Sequence, residues 1–250
     1  MSNWIARGLR RGIRTTRYPL QEDRMPDGYR GRITVREHAD PTALERGAEA
    51  CLSRAIERRG ALTFVNAQRC FQCGQCARVA ASAFSMTNDF ELAEAILGVD
   101  DSRDRLRSLT AALGRSIHLR HVDCGSDAST EQELQAIFNP FYDVNRLGIF
   151  MTATPRHADI LIASGVVTHP MVDPLRRAYD AIPEPKVVVA LGSDACSGTI
   201  YAADAVAGPV DRFIPVDVKV PGTPPSPLTI IHGLWVALGR VAAHAGSVPA

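Results

Sequence analysis

No stretch of this chain approaches the roughly 18 uninterrupted apolar residues that a membrane span needs. The best candidate, Leu228 to Ala243, is broken by His232 and Arg240. The N-terminus has no apolar core of the kind a secretory signal carries, because its arginines are interleaved with apolar residues. A charge of one sign is lacking too: 28 Lys and Arg stand against 27 Asp and Glu, a formal net of +1, which argues against a general nucleic-acid binder. There is no internal repeat, no low-complexity tract, no Ser/His/Asp arrangement, no Gly-rich phosphate loop and no zinc-hydrolase motif. A stand-alone enzyme is therefore the least supported reading. What is present is 250 residues, 46% apolar and 22% charged, enough for two domains with sizeable cores. Clustered cysteines in a chain without an export signal point to metal rather than to disulfides.

Three of the six cysteines, Cys70, Cys73 and Cys76, form the run C-F-Q-C-G-Q-C, the spacing that wraps three thiolates around one corner of an iron–sulfur cubane. The run resembles that of two-cluster ferredoxins, C-x2-C-x2-C-x3-C-P twice over, in which the last Cys of each run ligates the other cluster. Here Ala80 stands at the fourth position and Ala81 where the Pro would be. Upstream, Cys51 looks like the end of a first run whose earlier positions are Pro41, Leu44 and Gly47. Under the crossed wiring, Cys51, Cys70, Cys73 and Cys76 form one complete set, and Pro41, Leu44, Gly47 and Ala80 are the whole of a lost one. One [4Fe–4S] cluster bound by the four cysteines is the expectation. A zinc site, which usually pairs two separate C-x2-C elements, and unliganded cysteines are the alternatives.

Residues 4–17 contain five arginines and no acid. At about 100° per residue, Trp4, Ile5, Gly8, Leu9, Gly12 and Ile13 fall on one half of a helix, and Arg7, Arg10, Arg11, Arg14 and Arg17 on the other. Such a helix suits an anionic membrane surface or a partner subunit, and the two readings stay open. Gly28 to Glu37 reads as extended, and the ferredoxin-like unit runs on to about Asn88 with a short strand at Leu62–Val65. Asp100 to Ser116 is polar, with Leu106, Leu109 and Leu113 on one stripe, and reads as a linker helix outside both cores. From Ser116 strands alternate with helices: strands at Ile117–Val122, Asp159–Ala163, Lys186–Leu191 and Arg212–Val216, helices at Pro170–Ala181 and Pro227–His244. The expected division is 1–36 amphipathic helix and extended segment, 37–92 ferredoxin-like domain, 93–115 linker helix, and 116–250 α/β domain. The last should carry a parallel sheet covered on both faces, with functional loops at the carboxyl ends of its strands.

Those loops carry the text H-V-D-C-G-S, N-P-F-Y-D-V-N-R-L-G-I, T-P-R-H-A-D, D-R-F-I-P-V-D-V-K-V-P-G-T-P-P and L-x-x-I-H-G-L. From about Gly114 to Gly239 the chain resembles the small subunit of energy-converting [NiFe] hydrogenases and formate hydrogenlyase, and its relative, the 20-kDa subunit of respiratory complex I. The front half, opening G-L-R-R-G-I-R-T-T-R-Y-P, is similar to the ferredoxin-type subunit of the same complexes, so the chain resembles a fusion of two neighbouring subunits. In that family the second module holds a cluster next to the large subunit, on a C-x2-C, a G-x-C-A loop and a P-G-C-P-P loop. Asp127, Thr130, Asp194 and Thr223 stand at those four positions, and oxygen ligands do not hold a cubane that needs soft thiolates. The resemblance thus implies that this cluster is absent. A pocket of the four residues, with its carboxylates raising each other's pKa, is expected in its place. A divalent metal there, or a rescue cluster using Cys124 and Cys196, which lie offset from the ligand positions, are minor alternatives. His121, His157 and His232 read as structural, with Arg156 facing a partner.

The resemblance implies an electron-transfer subunit of a membrane-associated complex, peripheral on the cytoplasmic face of the inner membrane. Its implied partners are a hydrogenase large-subunit or 49-kDa-like subunit and membrane-arm subunits, and it would be a non-catalytic component of an oxidoreductase. The alternative is a structural or redox-sensing scaffold that docks these partners without passing electrons through its second module.

Overall fold

The computed structural model describes residues 3–21, 23, 25–60, 62–96, 106–108, 110–111, 116–198, 200–202 and 204–243. The first helix, α1 (Trp4–Arg11), is capped by the Asn3 side chain, which accepts the Ala6 N–H at 3.3 Å. It is shorter than the run of 4–17: Gly12 takes φ +64° and ends it, leaving Arg14 and Arg17 beyond the helix. None of its residues is buried. Trp4, Leu9 and, just past the helix, Ile13 are 75%, 81% and 77% exposed, so the apolar stripe is presented outward.

The front unit is built from β1 (Ile33–Val35), α2 (Pro41–Glu49), β2 (Ile56–Arg59), β3 (Leu62–Val65), α3 (Gln75–Val79) and β4 (Phe84–Met86). Asp40 caps α2 by accepting the Ala43 N–H at 3.1 Å, and Pro41 sits in the first turn where its missing N–H costs nothing. Strands β1 and β4 pair antiparallel, as do β2 and β3, so two two-stranded ribbons and two short helices enclose a small core of Ile33, Ala43, Ala55, Val65, Ala80, Ala83 and Phe84. The strand expected at Leu62–Val65 is found at those residues.

The rest of the chain forms β5 (Glu94–Ala95), β6 (Ile117–Asp123), α4 (Ser129–Ala136), β7 (Ile149–Met151), β8 (Ile160–Ser164), α5 (Val172–Ala181), β9 (Val187–Leu191), α6 (Ser193–Ser197), β10 (Val218–Val220) and α7 (Pro227–Ala237). One six-stranded sheet runs β5-β10-β9-β8-β6-β7, with β6 to β10 parallel and β5 antiparallel at the edge. Strands β8 and β9 are buried along their whole length, as near-continuous apolar runs in a doubly covered parallel sheet should be. Ile117, Leu119, Ile160 and Ile162 face one core together with Leu134 and α7. Val122, Leu161, Ala163 and Leu175 face the other.

Three expectations are corrected. The strand placed at Arg212–Val216 is instead a single 3-10 turn, Val210–Arg212, and the strand follows at Val218–Val220. Pro215 has no N–H to give a ladder, and Asp217 pins the register two residues later through its N–H to Val188 O and its carboxylate to Val188 N–H, both 2.9 Å. The closing helix stops at Ala237 rather than His244: Gly239 has φ +62°, and a Cβ there would lie 2.5 Å from Arg107 N. Residues 93–115 do more than link, since Glu94–Ala95 extends the sheet, Leu106 is 1% exposed in the main core, and Thr110 Oγ1 donates to Leu238 O at 3.0 Å. Leu109, Leu113 and His244 lie outside the described residues. β7 and α4, like α2, α3, β2 and β4 in the front unit, lie outside the elements expected above.

Candidate metal centre

Cys51 lies just past the C-terminus of α2, Cys70 ends a 3-10 turn at Ala67–Arg69, and Cys76 opens α3. Between them the chain turns on Gln72 at φ +57° and Gly74 at φ +73°, a left-handed pair that reverses the backbone so that Cys70, Cys73 and Cys76 wrap one space. Cys51, Cys70 and Cys76 pack on the small front core. Burial pushes Cys70 up to about 12, and the neighbouring Cys76, Cys51 and Cys73 add to the rise. Cys76 is likewise raised, first by burial and then by Cys51 and Cys73. Two sulfurs already accept backbone N–H groups: Cys51 from Ala55 at 3.3 Å and Cys70 from Gln72 at 3.4 Å. All four are free cysteines, and only Cys73 is exposed.

Burial and neighbouring cysteines disfavour the thiolate form of Cys70 and Cys76, and a cationic, thiolate-demanding centre would offset that cost. Thiolates are the donor type that a [4Fe–4S] cluster takes. As the side chains stand, no group of three or more His, Cys, Asp or Glu among the described residues is arranged to hold a metal ion.

The positions of the lost set have a different fate. Ala80 follows α3 as Cys51 follows α2, and it is 2% exposed. Gly47 packs so tightly that an added Cβ would stand 2.2 Å from Phe84 Cε2. The aromatic ring of Phe84, 1% exposed, therefore fills the space beside α2.

The cysteine loop rests on the carboxyl ends of the parallel sheet. Ser193, fully buried at the start of α6, donates from Oγ to Cys70 O and accepts the Gly222 N–H, each at 3.0 Å. Lys219 of β10 donates to Gln68 Oε1 and Cys196 O at 3.0 Å and to Asp211 Oδ2 at 2.7 Å. An open cavity of about 600 Å³ lies alongside, lined by Tyr29, Arg30, Gln72 and Cys73 from the front unit and Glu133, Thr223 and Ser226 from the back.

The four oxygen-bearing residues gather at the same end. A Cβ on Gly192 would lie 3.0 Å from Thr130 Oγ1 and 3.6 Å from Gly222 O. The Tyr201 phenol is raised first by burial and then by both Asp194 and Asp127. Thr223 Oγ1 is buried with no hydrogen-bond partner among the described residues. Asp127 corrects the expected mutual pKa increase: it is exposed, and its carboxyl is held below its ordinary value by the Ser129 hydroxyl and N–H, at 2.6 and 2.9 Å. Cys124 and Cys196, at 0% and 1% exposure, sit in the core on the sheet's α5 face, and burial lifts each to about 12.

His232 is buried and its Nδ1 accepts the Ala93 N–H at 3.2 Å, whereas His157 and Arg156 are exposed. His121 is not isolated. Its Nε2 lies 2.7 Å from Ser164 Oγ and 3.7 Å from Glu131, whose carboxylate also accepts from Ser126 and Ser164. This network joins β6, β8 and α4, so no local motif announces it. A Lys in the otherwise apolar Val218–Val220 was the one visible signal of the Lys219 junction.

Residues 124–237 match the protein family described as NADH ubiquinone oxidoreductase, 20 kDa subunit. An uncharacterized protein of Methanocaldococcus jannaschii is 46% identical over 136 residues, which is 51% of this chain and 90% of that protein. A probable membrane-bound hydrogenase subunit of Pyrococcus furiosus is 40% identical over 139 residues, 55% of this chain and 83% of that subunit. Formate hydrogenlyase subunit 7 of Escherichia coli is 39% identical over 143 residues, 56% of each chain. A chain of an archaeal membrane-bound sulfane sulfur reductase aligns with a TM-score of 0.46 at 26% identity, over 54% of this chain and 76% of that one.

Proposed function

Because the chain belongs, through its second half, to the family of the 20-kDa subunit of NADH ubiquinone oxidoreductase, we propose that it is an iron–sulfur electron-transfer subunit of a hydrogenase- or formate-hydrogenlyase-like complex. The observation that carries this reading is that Cys51, Cys70 and Cys76 pack on one small apolar core, with Cys73 on the exposed side of the same loop, and that this loop is docked on the carboxyl ends of the sheet. In this reading the front unit is a ferredoxin-like module with one [4Fe–4S] cluster, held by those four residues, and the chain is a fusion of two modules.

A cluster bound there supplies one-electron uptake and release. The chain's own residues shape the site: Ala55 and Gln72 N–H groups steady two sulfurs, Phe84 closes the space of the lost ligand set, and Ser193 holds the loop to the sheet. Cys73, the exposed member, borders the open cavity that also touches Thr223, which makes that face the natural side for electrons to enter or leave. No helix among the described residues is long and apolar enough to cross a membrane. We place the subunit peripherally in a membrane complex, with a large subunit and membrane-arm subunits as partners and the outward stripe of α1 as its membrane-facing or partner-facing element.

A second reading is favoured by the hard oxygen donors at Asp127, Thr130, Asp194 and Thr223: the back module is a scaffold, and the front centre senses redox state without a second relay. Anaerobic purification, iron and sulfide counting and EPR of the reduced chain test the first reading. Cys51→Ala should lose the signal and about four irons as completely as Cys73→Ala, while Cys196→Ala should keep both. Retention of iron and signal in Cys51→Ala overturns the ligand assignment.

A further inference from the structure

After α1 the chain forms a strap that is stitched onto the back unit. The Thr15 hydroxyl donates to Pro140 O at 3.2 Å, the Thr16 N–H donates to Phe141 O at 2.8 Å, and Arg146 Nη2 donates to the carbonyls of Thr16 and Tyr18. Thr16 and Tyr18 are buried at 5% and 3% exposure, and the Tyr18 ring meets Phe90 edge-on. Their neighbours are not buried: Ile13 and Leu20 stand 77% and 87% exposed, and Arg17 and Arg146 are exposed as well. A cavity of about 480 Å³ opens on the strap, lined by Ile13, Arg17, Leu20 and Arg146 besides the two threonines, and none of its lining residues is acidic. The strap's hydrogen bonds hold two aliphatic side chains and two guanidinium groups around one open space.

The chemistry of that space selects its occupant. A small soluble anion would pair with the guanidinium groups and leave Ile13 and Leu20 in water. An apolar peptide would cover the aliphatic groups and leave the arginines without a counter-charge. A phosphate ester carrying an alkyl chain satisfies both halves, since guanidinium recognises phosphate oxygens in a planar, bidentate manner and exposed aliphatic surface gains by leaving water. The surroundings favour such a molecule in a bilayer over an acidic protein segment. Residues 1–21 carry five arginines and no acid, and Arg146 adds a sixth cation at the cavity itself. Asp23, the acid that the strap does touch, is engaged by the Thr16 hydroxyl. A run of one sign matches the uniform negative charge of an anionic leaflet, whereas protein surfaces mix both signs. Ile13 stands one residue past the Gly12 that ends α1, so in chain order it joins the cavity to the outward stripe of Trp4, Ile5 and Leu9. Trp and Arg flanking an apolar stripe are the residues that sit at headgroup level.

We propose that the cavity between the strap and Arg146 is a site for one anionic phospholipid, its phosphate paired with Arg17 and Arg146 and its acyl chain against Ile13 and Leu20. The proposal rests on the peripheral membrane placement above and involves neither iron nor the cysteines.

The test sediments the full chain, purified anaerobically, with phosphatidylcholine vesicles and with mixed phosphatidylcholine–phosphatidylglycerol vesicles. The wild type should bind the mixed vesicles at low salt, with a blue shift of tryptophan emission that reports Trp4, because Trp235 is already buried. Arg17→Gln should weaken this binding about fivefold and Leu20→Asp about tenfold or more. Both side chains are exposed, so neither change disturbs the fold. Arg177→Gln is the control: Arg177 is an exposed arginine of α5, whose Leu175 packs on the sheet face opposite the one that receives Tyr18 and Val144, and its loss should leave binding unchanged. Short-chain phosphatidylglycerol below its micelle concentration should saturate at about one per chain in the wild type and fail to saturate in Leu20→Asp, while inorganic phosphate should not compete. Wild-type binding that both cavity variants retain, an equal loss in Arg177→Gln, or equal affinity for neutral vesicles overturns the lipid site and leaves the peripheral placement standing. Binding to neither kind of vesicle overturns it together with the membrane-facing reading of α1.

Discussion

Replacing Gly47 by Ala tests whether the space beside α2 is filled by packing. Gly47 lies inside α2 with no left-handed strain, and at an ordinary helical site the change to Ala stabilises by about 1 kcal/mol. Here the new Cβ would meet Phe84 Cε2 at 2.2 Å and Cδ2 at 2.7 Å, far inside van der Waals contact. Phe84 is itself locked at 1% exposure between β1 and α2, so the ring has little room to retreat. Overpacking of this kind costs about 1–3 kcal/mol. With a contact this short the upper part of that range applies, so Gly47→Ala should lower stability by a net ~1–2 kcal/mol after the helix gain. In a Phe84→Leu background the same change should become favourable by about 1 kcal/mol, a coupling of ~2–3 kcal/mol between the two sites. Urea denaturation of the four single and double variants, under reducing anaerobic conditions, measures the cycle. If Gly47→Ala stabilises the parent chain, the space is open, and the argument that an apolar core has replaced a second ligand set fails.

Ser193→Ala should orphan the Gly222 N–H and the Cys70 carbonyl and cost about 2 kcal/mol or more, read by urea denaturation; a neutral result would mean the loop is not anchored there. Burial lifts the Cys124 and Cys196 thiols to about 12 from 9.0, so as pH rises the unfolded chain ionises first. Their contribution is whole below about pH 9 and is lost between 9 and 12. Melting temperatures from pH 8 to 11 should therefore fall less steeply in the Cys124→Ala/Cys196→Ala double variant, and equal slopes would refute the assignment. Replacing Arg7, Arg10, Arg11 and Arg14 by Gln should weaken binding to anionic vesicles at low salt, by on the order of 1 kcal/mol per arginine. Unchanged partitioning in a sedimentation assay would assign α1 to a protein partner.

Much of the architecture was legible because it is local. Parallel strands buried on both faces write themselves as V-V-V-A-L and I-L-I-A-S, since both side-chain directions are apolar, and the cysteine run declares its own spacing. Single residues set against their neighbours' pattern were not legible: Pro215 displaced a strand, Gly239 cut a helix short, and Leu106 entered a core that its polar neighbours had disguised.

Composition and order of residues alone determined the presence of a thiol-rich front unit, a doubly covered parallel sheet behind it, and the absence of thiols at Asp127, Thr130, Asp194 and Thr223. Only the tertiary structure decided what lies against what. Phe84 against Gly47, Ser193 under Cys70, the His121–Ser164–Glu131 network, and Glu94 opposite Lys219 each join residues from separate elements. The physical reason is that sequence periodicity records which face of an element is apolar. The partner of a buried polar group is set by register and layer packing, which bring together positions as far apart as Cys70 and Ser193 at 3.0 Å.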